Sequence, residues 1–314
     1  MNAEGMSAPD LSQGVGFADG RYCPRGEMQV STQDLGFIMS DLAYDAAHVW
    51  KGRFFRLEDH LDRWDRSISR RQYSSLPYNR EQVRDILMEC VRRLGLREAL
   101  AVWVATRGIP STEGLDLRAC KNNFMAWVIP FVWKVPREKL ERGEGANIYV
   151  SSVLRIPPES TDPTVKNYAR LDFSRALLEA YEHGSEYPVL VDRDGNVTEG
   201  PGWNLFALYG GTLVSPERGV LEGITRRTVL ELCSKTNVKG QLGRIKADEL
   251  EQADEVFLAS TAGGIMPVTR VNDIKIKNEV VGPVTIRLRD MYWALHDDPA
   301  YTTPVNYGPT LERA

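Results

Sequence analysis

Two consecutive hairpins set between helical segments constrain this chain more than any other feature. One turns through Asp194-Gly195, between YPVLVD and NVTEG; the other turns through Gly210-Gly211, between WNLFALY and TLVSP. A helix of about 169–183, stopping at Gly184, precedes them, and the helical ITRRTVLELCSK follows. ADELEQA reads as a short helix, DEVFLAST as a strand entering the turn TAGG, and GPVTIRLRDMYWALH as a last amphipathic helix. Helices and hairpins alternate without a regular strand-helix-strand rhythm. That predicts an α+β fold rather than a doubly wound sheet.

The first half reads similarly. LAYDAAHVW and KGRFFRL form two strands turning at Lys51-Gly52. In EDHLDRWDRSISRR, Asp59 can cap a helix with Leu61, Trp64 and Ile68 on one face. A second helix, about 79–95, lines up Val83, Ile86, Leu87, Cys90 and Val91 and ends near Gly95. EALAVWVATR and NFMAWVIPFVW are apolar strands, and the polar stretch KVPREKLERGEGA separates them from the strand NIYVSSVL. The boundary is therefore placed there: an N-terminal domain over 1–133, a linker over 134–145 and a C-terminal domain over 146–314. Residues 1–13 read as a loose arm.

Charge and composition remove several functions. Lys and Arg number 39 against 43 acids, so the net charge is −4, less basic than phosphate neutralisation by a nucleic-acid binder would require. No apolar run reaches the roughly 18 residues that would span a bilayer. The start lacks the basic-then-apolar order of a signal peptide, and a cytoplasmic enzyme is the expectation. The four cysteines and four histidines are scattered, with no C-x-x-C and no H-E-x-x-H, so no protein-built metal site is expected. A G-x-S-x-G elbow is also missing. Difficult chemistry would then belong to an organic cofactor.

Three features supply candidate parts. The chain has ten lysines against 29 arginines, and only Lys166, after Pro163-Thr164-Val165, sits where a structured loop meets a helix. A desolvated amine there would be nucleophilic toward an aldehyde, although position alone favours a solvated loop lysine. Glu199, in Thr198-Glu199-Gly200-Pro201-Gly202-Trp203-Asn204, can face a ring nitrogen or simply end a polar hairpin. Gly223-Ile224-Thr225 opens a helix and Thr261-Ala262-Gly263-Gly264 forms a small-residue turn. Both suit an anion, and Arg63 can add a charge-assisted bond. Together these are the parts needed to hold pyridoxal 5′-phosphate.

With those residues placed, SDLAYDAAHVWKGRFFRLEDHLDR, DPTVKNYARLDF, VTEGPGWNLF, RGVLEGITRRTVLEL, DEVFLASTAGGIMPVT and YWALHDDPAYTTPVNY resemble the fold-type IV pyridoxal-phosphate aminotransferases. Within that group, the chain looks most similar to the (R)-selective amine transaminases. The resemblance implies a small N-terminal α/β domain, a larger C-terminal cofactor-binding domain with a barrel-like sheet, and a homodimer sharing active sites. It implies that Lys166 forms the internal aldimine and shuttles the proton, and that Glu199 pairs with the pyridine nitrogen. Arg63, Ile224, Thr225 and Thr261 would hold the phosphate. Tyr44 would line the substrate pocket.

The substrate side departs from the family pattern. Leu100 and Val102 stand where those transaminases have an aromatic residue and a glutamate. Glu113 falls near a carboxylate-binding arginine's place, and Arg170 takes a common tryptophan's. Leu100, Val102 and Trp203 are expected to form an apolar wall. Arg170, Tyr44 or the Thr261-Ala262 backbone would then meet a substrate carboxylate. His48 can line the pocket or pack in its strand, and Arg107 can be structural. The expected activity moves an amino group from an (R)-amine or amino acid to a 2-oxo acid such as pyruvate. The alternatives are a branched-chain amino acid aminotransferase, an aminodeoxychorismate lyase and a non-catalytic cofactor-binding protein.

Overall fold

The structure, a computed structural model, describes residues 14–73, 75–111 and 115–308. The expected arm over 1–13 and the position of Glu113 lie outside the described residues. The chain divides into two compact units, one running to Val132 and resuming at Pro299, the other Trp133–Asp298.

The first unit carries strands β1 (Val15–Ala18) and β2 (Arg21–Pro24), helix α1 (Leu35–Met39), β3 (Leu42–Trp50), β4 (Arg53–Phe55), helices α2 (Leu57–Arg70) and α3 (Arg80–Leu94), then β5 (Ala99–Pro110) and β6 (Cys120–Pro130). Strand β16 (Thr302–Pro304) completes an antiparallel sheet of order β16-β4-β3-β5-β6-β1-β2. Lys51 and Gly52 both have positive φ, 49° and 78°, as the tight turn between β3 and β4 requires.

Alternation along β3 and β5 gives the sheet two different faces. Trp64 of α2 packs edge-on against Trp103 at 6.3 Å and Phe124 at 6.3 Å, so Asp45, Trp103 and Phe124 lie under the helices. Tyr44, Val102 and Val104 point the other way and cluster with Leu42, Ala18 and Met125. Helix α2 starts two residues before the expected cap. Arg56 is the N-cap, and Asp59 sits in the first turn, held by Arg56 Nε. Acids there complement the helix dipole, which is why Asp59 need not be the cap itself.

In the second unit, helix α4 (Arg137–Glu141) precedes β7 (Ala146–Leu154), α5 (Leu171–Glu182), β8 (Tyr187–Val191), β9 (Glu199–Gly200), β10 (Trp203–Tyr209) and β11 (Thr212–Pro216). Then come α6 (Ile224–Cys233), β12 (Lys239–Gly243), α7 (Ala247–Leu250), β13 (Glu255–Ser260), β14 (Gly264–Val271), β15 (Ile274–Lys275) and α8 (Pro283–Ala294). The sheet order is β12-β11-β10-β13-β14-β7-β8. It closes on itself, because β8 bridges back at Val191–Val197 and β9 pairs with β10. Leu205, Ala207, Val256, Leu258, Met266, Val268, Ile148 and Val189 fill the interior. Phe206 and Phe257 alternate outward and stack at 5.0 Å. Burial of each such side chain contributes about 1.5–3 kcal/mol.

The domain boundary differs from the expectation. The polar stretch 134–145 is no free linker: Val135 and Leu140 are buried in the second unit's core. Its charges decorate the outside of a short helix anchored by those two residues. The chain end likewise leaves the second unit, since Thr302 and Thr303 pair with Phe55 and Phe54 of β4. Among the described residues no helix is long and apolar enough to cross a membrane.

Candidate active site

Glu199 organises the second unit's polar centre. It opens β9, directly opposite Asn204 of β10, and is 6% exposed. Its Oε1 accepts from Arg155 NH2 at 3.1 Å. Its Oε2 accepts from the Leu221 amide at 2.9 Å and Asn204 Nδ2 at 3.4 Å. Burial pushes the Glu199 carboxyl up, while Arg155, the Leu221 N–H and Lys166 pull it down. Burial prevails, and an anchored carboxyl is left able to hold a proton shared with a cationic ring.

Lys166 is half-buried and lies within electrostatic reach of Glu199. Its loop is fixed by local side-chain bonds. Asp162 Oδ1 accepts from the Thr164 amide and hydroxyl at 2.9 and 2.6 Å. Asn167 takes the Ala169 amide and gives its Nδ2 to the Val165 carbonyl. Val165, 3% exposed, anchors the turn between these two Asx-type bonds. The lysine is thereby presented from a rigid segment.

The two expected anion turns are tied to the same centre. Asn204 Nδ2 donates to the Leu221 carbonyl at 3.0 Å, two residues before Gly223 caps α6. Gly223 has no side chain to cap the helix, so the first-turn amides around Ile224 and Thr225 suit an anion. On the other side, Ser260 Oγ donates to the Gly202 carbonyl at 2.7 Å and accepts from the Ala262 amide at 3.2 Å. The Ala262 amide expected to meet a ligand is therefore engaged by Ser260. Thr261 stands half-buried beside it.

Trp203 is placed otherwise than expected. It points away from Asn204 into the barrel core, 6.0 Å from the Tyr187 ring, because side chains alternate along β10. It is a core residue there rather than part of an exposed wall. Arg170 caps α5 with its guanidinium 5.4 Å over Phe173.

In the first unit, Tyr44, Leu100 and Val102 meet on the sheet face away from α2. Arg63 is on the opposite, helix-covered face, 3% exposed, with Nε and NH2 on Asp45 at 2.9 and 2.7 Å. His48 is packed, stacking on Phe55 at 5.5 Å. Arg107 is structural, bonding Asp41 at 2.7 Å and the Arg71 carbonyl at 2.7 Å.

Sequence reasoning missed Arg155, whose NH1 also holds Asp172 at 2.7 Å. A signal was present: a glutamate that meets a ring nitrogen away from water needs a cation, and Arg155 directly follows the strand NIYVSSVL. Asn204 was missed within the very run quoted for Glu199.

Comparison with known proteins identifies the family of the fold. The family model described as Amino-transferase class IV matches residues 42–271. The branched-chain-amino-acid aminotransferase of Pseudomonas aeruginosa is 30% identical over 243 residues, 77% of this chain and 78% of that one. The D-alanine aminotransferase of Staphylococcus haemolyticus is 26% identical, covering 87% and 95% respectively. Among solved structures, a branched-chain amino acid aminotransferase from T.th., determined with pyridoxamine 5′-phosphate, superposes with a TM-score of 0.84 at 25% identity, over 93% of this chain and 98% of that one.

Proposed function

Because the chain belongs to the class IV aminotransferases, enzymes that use pyridoxal 5′-phosphate, we propose that it moves an amino group from an apolar donor, an (R)-amine or a branched-chain amino acid, to a 2-oxo acid such as pyruvate. The reading is carried by the buried Glu199, which takes the Leu221 amide just ahead of the side-chain-free N-cap of α6 and lies within electrostatic reach of Lys166.

The residues fit the cofactor chemically. A primary amine, a sequestered carboxyl, uncapped helix amides and the Thr225 and Thr261 hydroxyls are what an aldehyde, a pyridine nitrogen and a phosphate each require. When bound, the cofactor supplies an electron sink for the carbanion at the donor carbon. The chain's own groups do the rest. Lys166 removes the proton from the donor carbon and returns it on the acceptor side. Glu199 holds the proton on the ring nitrogen. Ile224, Thr225 and Thr261 orient the phosphate, so that remote binding energy fixes the reacting carbon. Arg63 is proposed as a further phosphate contact, Tyr44, Leu100 and Val102 as the apolar wall, and Arg170 as a carboxylate contact. The relatives named for branched-chain and D-alanine substrates support donors of either hand.

The test is the visible absorption of purified protein before and after (R)-1-phenylethylamine, then L-leucine. A band lost in Lys166→Ala and bleached by one donor supports the transfer and names the donor. A band that neither bleaches, with no pyruvate-dependent turnover, overturns it in favour of the lyase. No band after reconstitution would overturn both.

A further inference from the structure

Helix α6 begins unlike the other long helices of the chain. Among the described residues, α2, α3 and α5 each carry an acid in the first turn, where the helix dipole favours negative charge: Glu58 and Asp59, Glu81, and Asp172. Helix α8 has none of its own, but the Glu255 carboxylate accepts from the Val284 and Thr285 amides at 3.1 and 2.7 Å. In α6 the cap is Gly223, no side chain caps the helix and the first turn holds no acid. The charged residue in that turn is Arg226, a cation.

Arg226 is buried, with 6% of its surface exposed. Among the described residues its guanidinium bonds to neutral oxygens alone: Nε donates to Ser215 Oγ at 3.1 Å and NH2 to the Pro216 carbonyl. Ser215 in turn donates to the Leu205 carbonyl at 2.9 Å, which leaves its lone pairs for the arginine. Glu199 and Glu222 act on the cation only at a distance. Glu199 is taken up by Arg155, Asn204 and the Leu221 amide, and Glu222 is exposed. Burial pulls the guanidinium below its ordinary 12.5 despite both acids, although an arginine keeps its charge at any physiological pH.

A buried cation without a carboxylate, at the positive end of a helix, is unfavourable on both counts. An anion at the start of α6 relieves both, and the phosphate proposed for the Ile224 and Thr225 amides is such an anion. Helix side chains tilt toward the N-terminus, and a Cβ built on Gly223 would lie 3.4 Å from the Arg226 Cβ. The guanidinium is thus carried on the same turn as those amides. We propose that Arg226 is a positioning residue, the buried counter-charge that draws the cofactor phosphate onto the start of α6 and keeps it doubly ionised. It acts through its field, while the amides and the Thr225 hydroxyl make the contacts. The inference deepens the aminotransferase reading and rests on it. It makes the site selective for the phosphorylated cofactor over the same ring without phosphate.

The experiment uses the holoenzyme with Arg226→Gln and Arg226→Lys. The phosphorus NMR resonance of the bound cofactor is followed from about pH 5 to 8, across the second ionisation of a free phosphate ester at about 6. In the wild type it should stay flat, the dianion throughout; in Arg226→Gln it should titrate within that range. Absorbance titrations of the cofactor-free proteins compare pyridoxal 5′-phosphate with pyridoxal, which has no phosphate. Arg226→Gln should weaken the first at least about tenfold and leave the second unchanged, and Arg226→Lys should restore most of the loss. A wild-type phosphate that titrates like the free ester overturns the proposal without any variant. An equal loss for both ligands, or a resonance as flat in Arg226→Gln as in the wild type, overturns it too. A wild-type protein that shows the flat resonance and the phosphate preference yet transfers no amino group would sink the functional reading alone.

Discussion

Arg155 and Glu199 are joined side chain to side chain, NH2 to Oε1 at 3.1 Å, with only 10% and 7% of the two side chains exposed. Arg155 also grips Asp172, so one guanidinium serves two buried acids. Removing it should destabilise the protein by about 3–5 kcal/mol, as breaking a buried pair does. The pH dependence has a definite sign. The Glu199 carboxyl titrates above its ordinary 4.5, so its contribution to stability is present below that value and lost as pH rises through the folded one. Arg155→Met raises the folded value further and carries the loss to higher pH. Melting temperatures of the cofactor-free proteins between about pH 4 and 8 check this. A uniform drop at every pH would mean that Arg155 only fills space.

The glycine at the start of α6 has a sharper role. A Cβ at Gly223 would fall 2.1 Å from Asn204 Oδ1. The backbone there, φ −65°, tolerates alanine, so the cost falls on Asn204 and its bonds to Leu221 and Glu199. Gly223→Ala should weaken cofactor binding about tenfold while lowering stability by only about 1–2 kcal/mol. Absorbance titration with the cofactor and thermal melts would separate these. Unchanged affinity would detach the Asn204–Leu221 link from the phosphate turn.

Local rules made most elements legible. The Lys51-Gly52 and Gly210-Gly211 turns, the helix over Arg80–Leu94 and the turn after Ser260 follow from glycine chemistry and apolar spacing. What escaped was whatever depends on distant partners. The short strands Val15–Ala18 and Thr302–Pro304 have little periodicity of their own and exist through pairing with β6 and β4. Arg155 and Asn204 escaped likewise, since each takes its role from Glu199, 44 and 5 positions away. Trp203 packs in the second unit's core because side chains alternate along β10, a phase that only the paired sheet fixes.

Three adjacent apolar residues of α1 are left facing solvent: Phe37 at 65% exposure, Ile38 at 59% and Met39 at 52%. A contiguous exposed trio in a folded chain marks a surface that another protein covers. In the homodimer that the family resemblance implies, this helix is expected to lie between subunits. Phe37→Glu with Ile38→Glu should shift the protein from dimer to monomer in analytical ultracentrifugation. A wild-type monomer, or a variant that dimerises as tightly, would remove α1 from the interface.

The thiols offer a simple check of burial. Burial pushes Cys90 up to about 12 and Cys233 up to about 11, and Cys120 is also buried. Cys23 alone is partly open to solvent. A thiol reagent on the native protein should label Cys23 first, the others only on unfolding. Mass spectrometry of the labelled peptides decides; rapid labelling of Cys90 would contradict the packing of α3.

Asp45 is completely buried beneath α2, accepting from Arg63 at 2.9 and 2.7 Å and hydrogen-bonded to His60 Nδ1 at 2.9 Å. Burial alone would push its carboxyl up, yet the Arg63 charge and these bonds hold it well below the ordinary 3.8. A depressed carboxyl contributes stability above its unfolded value and loses it as pH falls, so this cluster should begin to fail below about pH 4. Asp45→Asn keeps the shape and removes the charge, leaving a buried guanidinium without that carboxylate. It should cost about 3–5 kcal/mol at neutral pH and flatten the acid limb of the stability curve. Urea unfolding of both proteins across the acid range tests the assignment. Parallel acid limbs would show that other carboxylates govern acid unfolding. The same variant bears on the site: Arg63→Gln should weaken cofactor binding if Arg63 reaches the phosphate. Asp45→Asn should then alter that affinity too, because it removes the acid that now fixes the guanidinium.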